Sequence, residues 1–438
     1  MAGLLRLFLR FAGLLYRIAE HFVTQLTRSG WTRVALICLK GFHALAFRSG
    51  RTQALLTLNS VSQCARKYGV QVKQLLPERQ FQLPAVPVLF ESERKRSDAL
   101  QHASLTLPAV CLYAFSNVEV IGGTELMIFA GKRAAYDELA LGNSERYGCK
   151  AFGIIVSQGF GLHLPAIFNQ QVLLSYTPNP TKDIDRGILL CKDHSPNYYH
   201  WLLECLPRAI VAMRESAYAD YSLLVDEELP AQNFQALESI AGGRKIIKIR
   251  RRESFRVRAL VFVDLFSHTH DNYGKRAYVD DLVIAPEAVA LVRNAFLPEK
   301  APSARKVFVA RDGARYRRLL NETRLHALAV ELGFEIVRPE GLSFAEQVAM
   351  FSRAECIVGP TGAGLTNMIF APEGCRVLVL AGNTEGANFQ IFGQLGYALG
   401  HDIKYLGGSA ERKSMLHSDY TIDPGLFKTA LASLAEAG

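Results

Sequence analysis

The sequence lacks the marks of several protein classes. Its eight cysteines (Cys38, Cys64, Cys111, Cys149, Cys191, Cys205, Cys356 and Cys375) are scattered, with no C-x-x-C pair. That spacing excludes a zinc ribbon and a disulfide framework. Several lie in apolar runs and read as small buried hydrophobes, which fits a reducing cytoplasm. No apolar run reaches the roughly 18 residues that a spanning helix needs. The first residues form no secretory signal, because Arg6, Arg10 and Arg17 interrupt the apolar stretch and no small-residue cleavage site follows. No G-x-G-x-x-G fingerprint is present, which argues against a dinucleotide oxidoreductase. There is no convincing D-x-D motif for a divalent ion; Asp264 and Asp280–Asp281 are not placed like one. Zinc-finger spacing, basic heptads and RNA-binding aromatics are missing too, so nucleic acid is not an expected partner. No internal repeat is visible.

What remains is a globular chain with a basic bias. Its 438 residues exceed one ordinary core, so two domains are expected. A formal net charge of +9 suits an anionic partner. Residues 1–50 form an amphipathic arm: Arg6, Arg10 and Arg17 recur at helical spacing opposite Leu4, Phe8, Phe11 and Leu15, and 31–48 repeats the theme. Such a helix lies in a membrane interface or packs on protein, including a second copy of the chain in a homodimer. Gln53 to Gly69 reads as a helix. Between Pro108 and Leu190, VCLYAF, VEVIGG, ELMIFAG, AFGIIV, QVLLSY and GILLC read as short strands.

Residues 303–382 carry the clearest pattern. KVFVA, FEIVR, CIVG and RVLVL are strands, separated by helices over 317–332, from the Ser343/Glu346 capping box to Phe351, and at LTNMIF. Alternation at this spacing means parallel βαβ units. Two loops stand at strand ends, where open α/β sheets bind ligands. One is ARDGARYRRLLNE, with Arg311 directly after its strand and Arg315, Arg317 and Arg318 following. Guanidinium groups make forked contacts to phosphate, and Arg311 and Arg318 are the favoured pair. The other is GPTGAGLTN, Gly359 to Asn367, a glycine turn into a helix. Its amides and helix dipole suit a diphosphate without a metal.

A further segment, HSPNYYHWLLECLPR, runs from His194 to Arg208. Ser195 can cap a helix on which His200 and Glu204, four apart, share a face. Pro207 is expected to break or kink that helix. A carboxylate beside an imidazole can build a general base. By spacing alone, a half-buried histidine beside Trp201 is the simpler reading.

Together these segments resemble glycosyltransferase family 61, from about His194 to Leu380. The marks are NYYHWLLECLPR, the arginine loop through Glu322, and LSFAEQVAMFSRAECIVGPTGAGLTNMIFAP. The resemblance implies an α/β, GT-B-like fold of two Rossmann-like domains with the donor between them. Here these would be residues 51–285 on the acceptor side and 286–438 on the nucleotide side. It implies an inverting transfer with no obligatory metal or cofactor, from a nucleotide-diphosphate sugar, UDP favoured, to a glycan or lipid-linked glycan. By position it assigns Asn197, His200, Glu204 and Arg208 to the first motif, Arg311, Arg318, Asn321 and Glu322 to the second, and Gly362, Ala363, Gly364 and Asn367 to the third; all of these but His200 and Glu204, with Thr361, are expected to bind the donor. His200 would be the base with Glu204 orienting it; Asp193 and Asp226 compete. Thr361 stands where the family usually has His, which motivates an alternative: a catalytically silent scaffold of a polysaccharide assembly complex. With the basic arm contacting a membrane through 1–48, a peripheral place on the inner face of the cell membrane in capsule or exopolysaccharide synthesis is expected.

Overall fold

A computed structural model describes residues 52–83, 88–90, 103–130, 133–137, 161–163, 171–269, 282–297, 305–384, 389–415 and 417–436. The arm at 1–50 and the expected strand AFGIIV lie outside them. Among the described residues, no helix is long and apolar enough to cross a membrane.

The described residues begin on a strand where the helix was expected. Thr52–Ser60 buries Leu56, Leu58 and Ser60 at period two, the signature of a strand with one covered face. The helix follows at Val61–Tyr68, started by a Ser60/Gln63 capping box and stopped by Gly69 in the left-handed region. VCLYAF and VEVIGG prove to be one strand, Val110–Ile121, and QVLLSY and GILLC one strand, Gln171–Leu189. Six strands close on themselves: Thr52–Ser60, Arg133–Tyr136, Met127–Phe129, Val110–Ile121, Glu253–Val263 and Gln171–Leu189, the last pairing back to the first. Ser222–Asp226 and Ile246–Ile249 extend the sheet in parallel from Gly187–Leu189.

A second sheet orders Glu335–Val337, Arg305–Val309, Ala354–Pro360, Arg376–Gly382 and Asp402–Ala410, all parallel. In chain order this is 2-1-3-4-5, a doubly wound sheet whose switch point lies between Arg305–Val309 and Ala354–Pro360. Val88–Phe90 reaches over from the first half to pair in parallel with the Asp402–Ala410 strand, so the chain does not divide cleanly at 285. One apolar cluster runs through both halves, from Val225, Leu237 and Val292 to Val309, Phe344 and Phe370. Helix Ala231–Ile240 meets the second half through Gln235, whose Oε1 accepts the Phe344 N–H at 2.9 Å, and Gln232, which donates to the Glu340 and Leu342 carbonyls.

Candidate active site

The His194–Arg208 segment leaves the carboxyl end of the Gln171–Leu189 strand. Its turn is anchored by buried Asp226, which accepts the backbone N–H of Lys192 and the hydroxyl of Ser195. Burial pushes the Asp226 carboxyl up to about 6. With its oxygens taken by the turn and by the Gly123 N–H, Asp226 is a structural anchor. Ser195 is therefore not the helix cap. That task falls to Asn197, whose Oδ1 accepts the Tyr199 N–H at 2.9 Å. Pro207 does not break the helix. A π turn at Trp201–Cys205 precedes the Leu206–Arg214 helix. The wider turn accommodates a ring that cannot donate to the preceding turn and would clash with it.

His200 and Glu204 meet as the spacing predicts, Nδ1 to Oε1 at 3.0 Å. Glu204 Oε1 also accepts the Thr269 N–H at 2.8 Å. Its Oε2 lies 3.4 Å from the Lys192 ammonium and 3.8 Å from His268 Nδ1. Burial opposes ionisation of Glu204, yet His200 and Lys192 hold its carboxyl well below the ordinary range. Asp193 is buried as well, and Lys192, His194 and His268 keep it at about 2 against that penalty. Burial lowers His268, and Lys192 lowers it further. A carboxylate can only accept, so His200 Nδ1 carries the proton of this hydrogen bond. The His194 ring stacks on His200 with centroids 5.3 Å apart. His194 itself holds φ 62°, a left-handed conformation of the kind that gathers at functional sites.

Arg208 takes a different task from the one expected. Fully buried, it donates to the Val263 carbonyl at 2.7 Å, pairs with Glu125 at 3.3 Å and lies over the Phe262 ring. These contacts tie the helix to the first sheet.

The arginine loop and the glycine turn converge at the switch point. Arg311 Nη1 donates to the Thr361 carbonyl at 2.9 Å and lies 3.4 Å from that of Arg317. Burial draws its pKa down, while Tyr420, Glu322 and Glu340 draw it up. Among the described residues no carboxylate pairs with its guanidinium. A Cβ on Gly362 would lie 2.8 Å from Arg311 Nε, so the glycine lets the arginine lie against the turn. The helix after the turn, Ala363–Phe370, is a 3₁₀ helix; its leading amides are the donors that a helix start leaves unpaired.

The remaining arginine-motif residues build the loop. Arg318 pairs with Asp419 on the surface, Nε to Oδ2 at 2.8 Å. Asn321 clamps the Ile422 backbone with both side-chain atoms. Glu322 accepts the Arg311 N–H at 2.7 Å and so fixes where that side chain starts. The expected helix over 317–332 begins only at Glu322, since Arg317 holds φ 55°. Thr361 acts through its backbone, donating its N–H to Leu380 and lending its carbonyl to Arg311, contacts that any residue at 361 would make.

Asn367 links the two corners. Its Nδ2 donates to Gln347 Oε1 at 2.7 Å and to the Gly364 carbonyl at 3.1 Å; its Oδ1 accepts the Tyr198 hydroxyl at 2.8 Å. Tyr198 stands two residues before His200, so the histidine helix is hydrogen-bonded to the glycine-turn helix. Tyr198 and Gln347 did not stand out in the sequence; their signal was only their place inside the two motifs.

Asp312, Glu322 and His326 each bring one ligand-type atom within 4.8 Å of the others. Glu322 is already engaged by the Arg311 N–H, and Asp312 pairs with Arg338. The sequence also holds a literal D-x-D, Asp183–Asp185. It lies on the Gln171–Leu189 strand just before its parallel pairing with Ser222–Asp226, with Arg258 3.7 and 3.2 Å from the two carboxylates. Asp264 serves the first sheet, accepting from the Cys111 N–H and the Tyr113 hydroxyl.

Comparison with known proteins points the same way. Residues 198–378 match the family model described as Glycosyltransferase 61. A beta-1,2-xylosyltransferase of Oryza sativa subsp. japonica (XAX1) is 30% identical over 136 residues, covering 30% of this chain and 23% of that protein. The chain thus spans less than a quarter of the length of that relative. The segment that the family model matches contains the His200 helix, the Arg311 loop and the glycine turn, and the relative is by its name a glycosyltransferase.

Proposed function

We propose that this chain is an inverting glycosyltransferase that moves a sugar from a nucleotide-diphosphate donor, UDP-linked, to a glycan or lipid-linked glycan. The observation that carries this reading is the meeting of Arg311 with the Gly362 turn at the switch point, tied through Asn367 and Tyr198 to the His200 helix. A direct inverting displacement needs a base for the acceptor hydroxyl and neutralisation of the departing diphosphate. His200 Nε2 supplies the base, with Glu204 holding the tautomer. Arg311 and the leading amides of the 3₁₀ helix take the diphosphate. That division of labour needs no obligatory metal, and the Asp312–Glu322–His326 group makes chelation a direct check.

The acceptor is proposed to be cell-surface polysaccharide, capsule or exopolysaccharide, reached at the cytoplasmic membrane face. The support is the basic amphipathic pattern of residues 1–48. The xylosyl relative is the reason to place UDP-xylose beside UDP-hexoses in a donor panel. The test is nucleotide release with acceptor present, before and after EDTA treatment, with NMR of the product anomer. Sugar-dependent release and an inverted anomer are expected. Nucleotide or glycan binding without turnover on any donor would favour the silent scaffold instead.

A further inference from the structure

Glu204 is held from two sides. Its Oε1 receives His200 Nδ1 and the Thr269 N–H. Its Oε2 faces Lys192 at 3.4 Å. Lys192 is 1% exposed at its side chain and lies 3.3 Å from Asp193 Oδ1, the same oxygen that accepts the Tyr136 hydroxyl at 2.7 Å. An ammonium buried this deeply carries a large desolvation cost unless well paired. Asp193 alone would supply a counter-charge. The fold nevertheless brings the ammonium within reach of a second carboxylate, and that carboxylate is the one holding His200. The Lys192 backbone is pinned by Asp226, so the side chain starts from a fixed point.

We propose that Lys192 is a positioning residue that acts through Glu204: its ammonium keeps the carboxylate charged, and the charged carboxylate keeps the His200 proton on Nδ1, leaving Nε2 open to take the acceptor proton. The inference rests on the base assignment to His200 made above. The sign of its effect follows from the charges around the pair. Lys192, Asp193 and His194 face it from the turn, His268 from the neighbouring strand, and the Arg208–Glu125 pair lies behind. Only one neutral acceptor, His200, is meant to gain a proton in the cycle. A fixed positive charge beside Glu204 opposes protonation of its carboxyl. Without it, Glu204 is held as a carboxylate less firmly, and its hold on the Nδ1 proton weakens.

The experiment compares the full chain with Lys192→Met and with a double variant, Lys192→Met with Asp193→Asn, which removes one charge of each sign and protects folding. Two readouts are taken: histidine side-chain ¹⁵N NMR across pH, and the pH profile of kcat/KM. The wild type is expected to show His200 as the Nδ1–H tautomer. In Lys192→Met the acid limb of kcat/KM moves up in pH and the Nδ1–H tautomer is lost from part of the population; the double variant, having lost one charge of each sign, moves less, and Lys192→Arg restores the wild-type behaviour. An unchanged His200 tautomer in both variants overturns the proposal, whatever happens to stability. A changed tautomer with an unmoved rate profile supports the Lys192–Glu204 link and removes His200 as the base.

Discussion

The two corners of the site handle charge in opposite ways. At the His200–Glu204 corner the charged groups are buried against one another: Lys192 faces Asp193 and Glu204, and Arg208 lies 3.3 Å from Glu125, whose carboxyl burial pushes up to about 8. At the Arg311–Gly362 corner a half-buried cation meets only backbone carbonyls, and the nearby Glu322 spends its oxygen on a backbone N–H. The difference matches two chemical tasks. A proton acceptor works best where a dry surrounding fixes its tautomer and basicity. A diphosphate needs an arginine whose charge is not already spent. A built-in carboxylate partner at Arg311 would compete with any incoming anion, and among the described residues none pairs with its guanidinium.

The sharpest way to break this comparison is at His200. His200→Ala is expected to lower kcat by about 10²–10⁴, the usual weight of a positioned acid–base group, with nucleotide affinity unchanged by calorimetry. Full turnover in that variant would move the base elsewhere. Arg311→Ala should do the reverse. Loss of a charge-assisted contact of about 1.5–3 kcal/mol weakens nucleotide binding roughly 10- to 100-fold. Arg311→Lys recovers part of that, because a point charge remains without the fork. If Arg311→Ala binds nucleotide as tightly as the wild type, the diphosphate lies elsewhere.

The buried corner also predicts a pH dependence of stability. Asp193 is at about 2 in the folded chain, against an ordinary 3.8, and Glu204 is lowered too. A carboxylate lowered on folding stabilises the fold above its unfolded pKa and loses that contribution as pH falls through the folded value. Acid should therefore unfold the wild type progressively below about pH 4. Asp193→Asn should be less stable at pH 7 and flatter below pH 4 in denaturant titrations. A parallel curve for the variant would mean that Asp193 is not the charge being lost.

Much of the site could be read in the sequence because motif residues are fixed by local geometry. The i,i+4 spacing placed His200 on Glu204, and a strand-end position placed Arg311 against the glycine turn. The Ser343/Glu346 capping box formed as its pattern predicts. What could not be read depended on partners far along the chain. Arg208 was assigned to the donor because it stands in the motif, but its contacts come from Glu125 and Val263. Arg318 was favoured for phosphate, and its partner Asp419 is 101 residues away. The Thr52–Ser60 strand was mistaken for helix because only pairing to 133–136 and 171–176 reveals its period. The fusion of QVLLSY with GILLC hid behind Pro178 and Pro180, which ordinarily mark turns.

A smaller change sharpens the comparison from within the glycine turn. Gly362→Ala needs no backbone strain, since φ is 172°, but its methyl would sit 2.8 Å from Arg311 Nε. The guanidinium must shift, and the donor KM should rise by about tenfold, or ~1.4 kcal/mol, with thermal stability nearly unchanged. An unaltered KM would show that Arg311 does not act from the position it holds here.

The smallest effect is expected at the hydrogen bond that joins the corners. Tyr198→Phe keeps the ring and removes only the hydroxyl that donates to Asn367 Oδ1 at 2.8 Å. The cost is that of one neutral hydrogen bond, about 1 kcal/mol. Asn367 keeps its bonds to Gln347 and Gly364, so the glycine turn stays formed and nucleotide affinity should hold. What changes is the register between the His200 helix and the turn, and with it the alignment of acceptor and donor. Turnover should fall about fivefold while the dissociation constant of the nucleotide stays within twofold. Asn367→Ala removes the same link and the turn's own support, so it should lower both. If Tyr198→Phe instead weakens nucleotide binding as much as Asn367→Ala does, Tyr198 supports the turn itself, and the two corners are aligned by the apolar core between them.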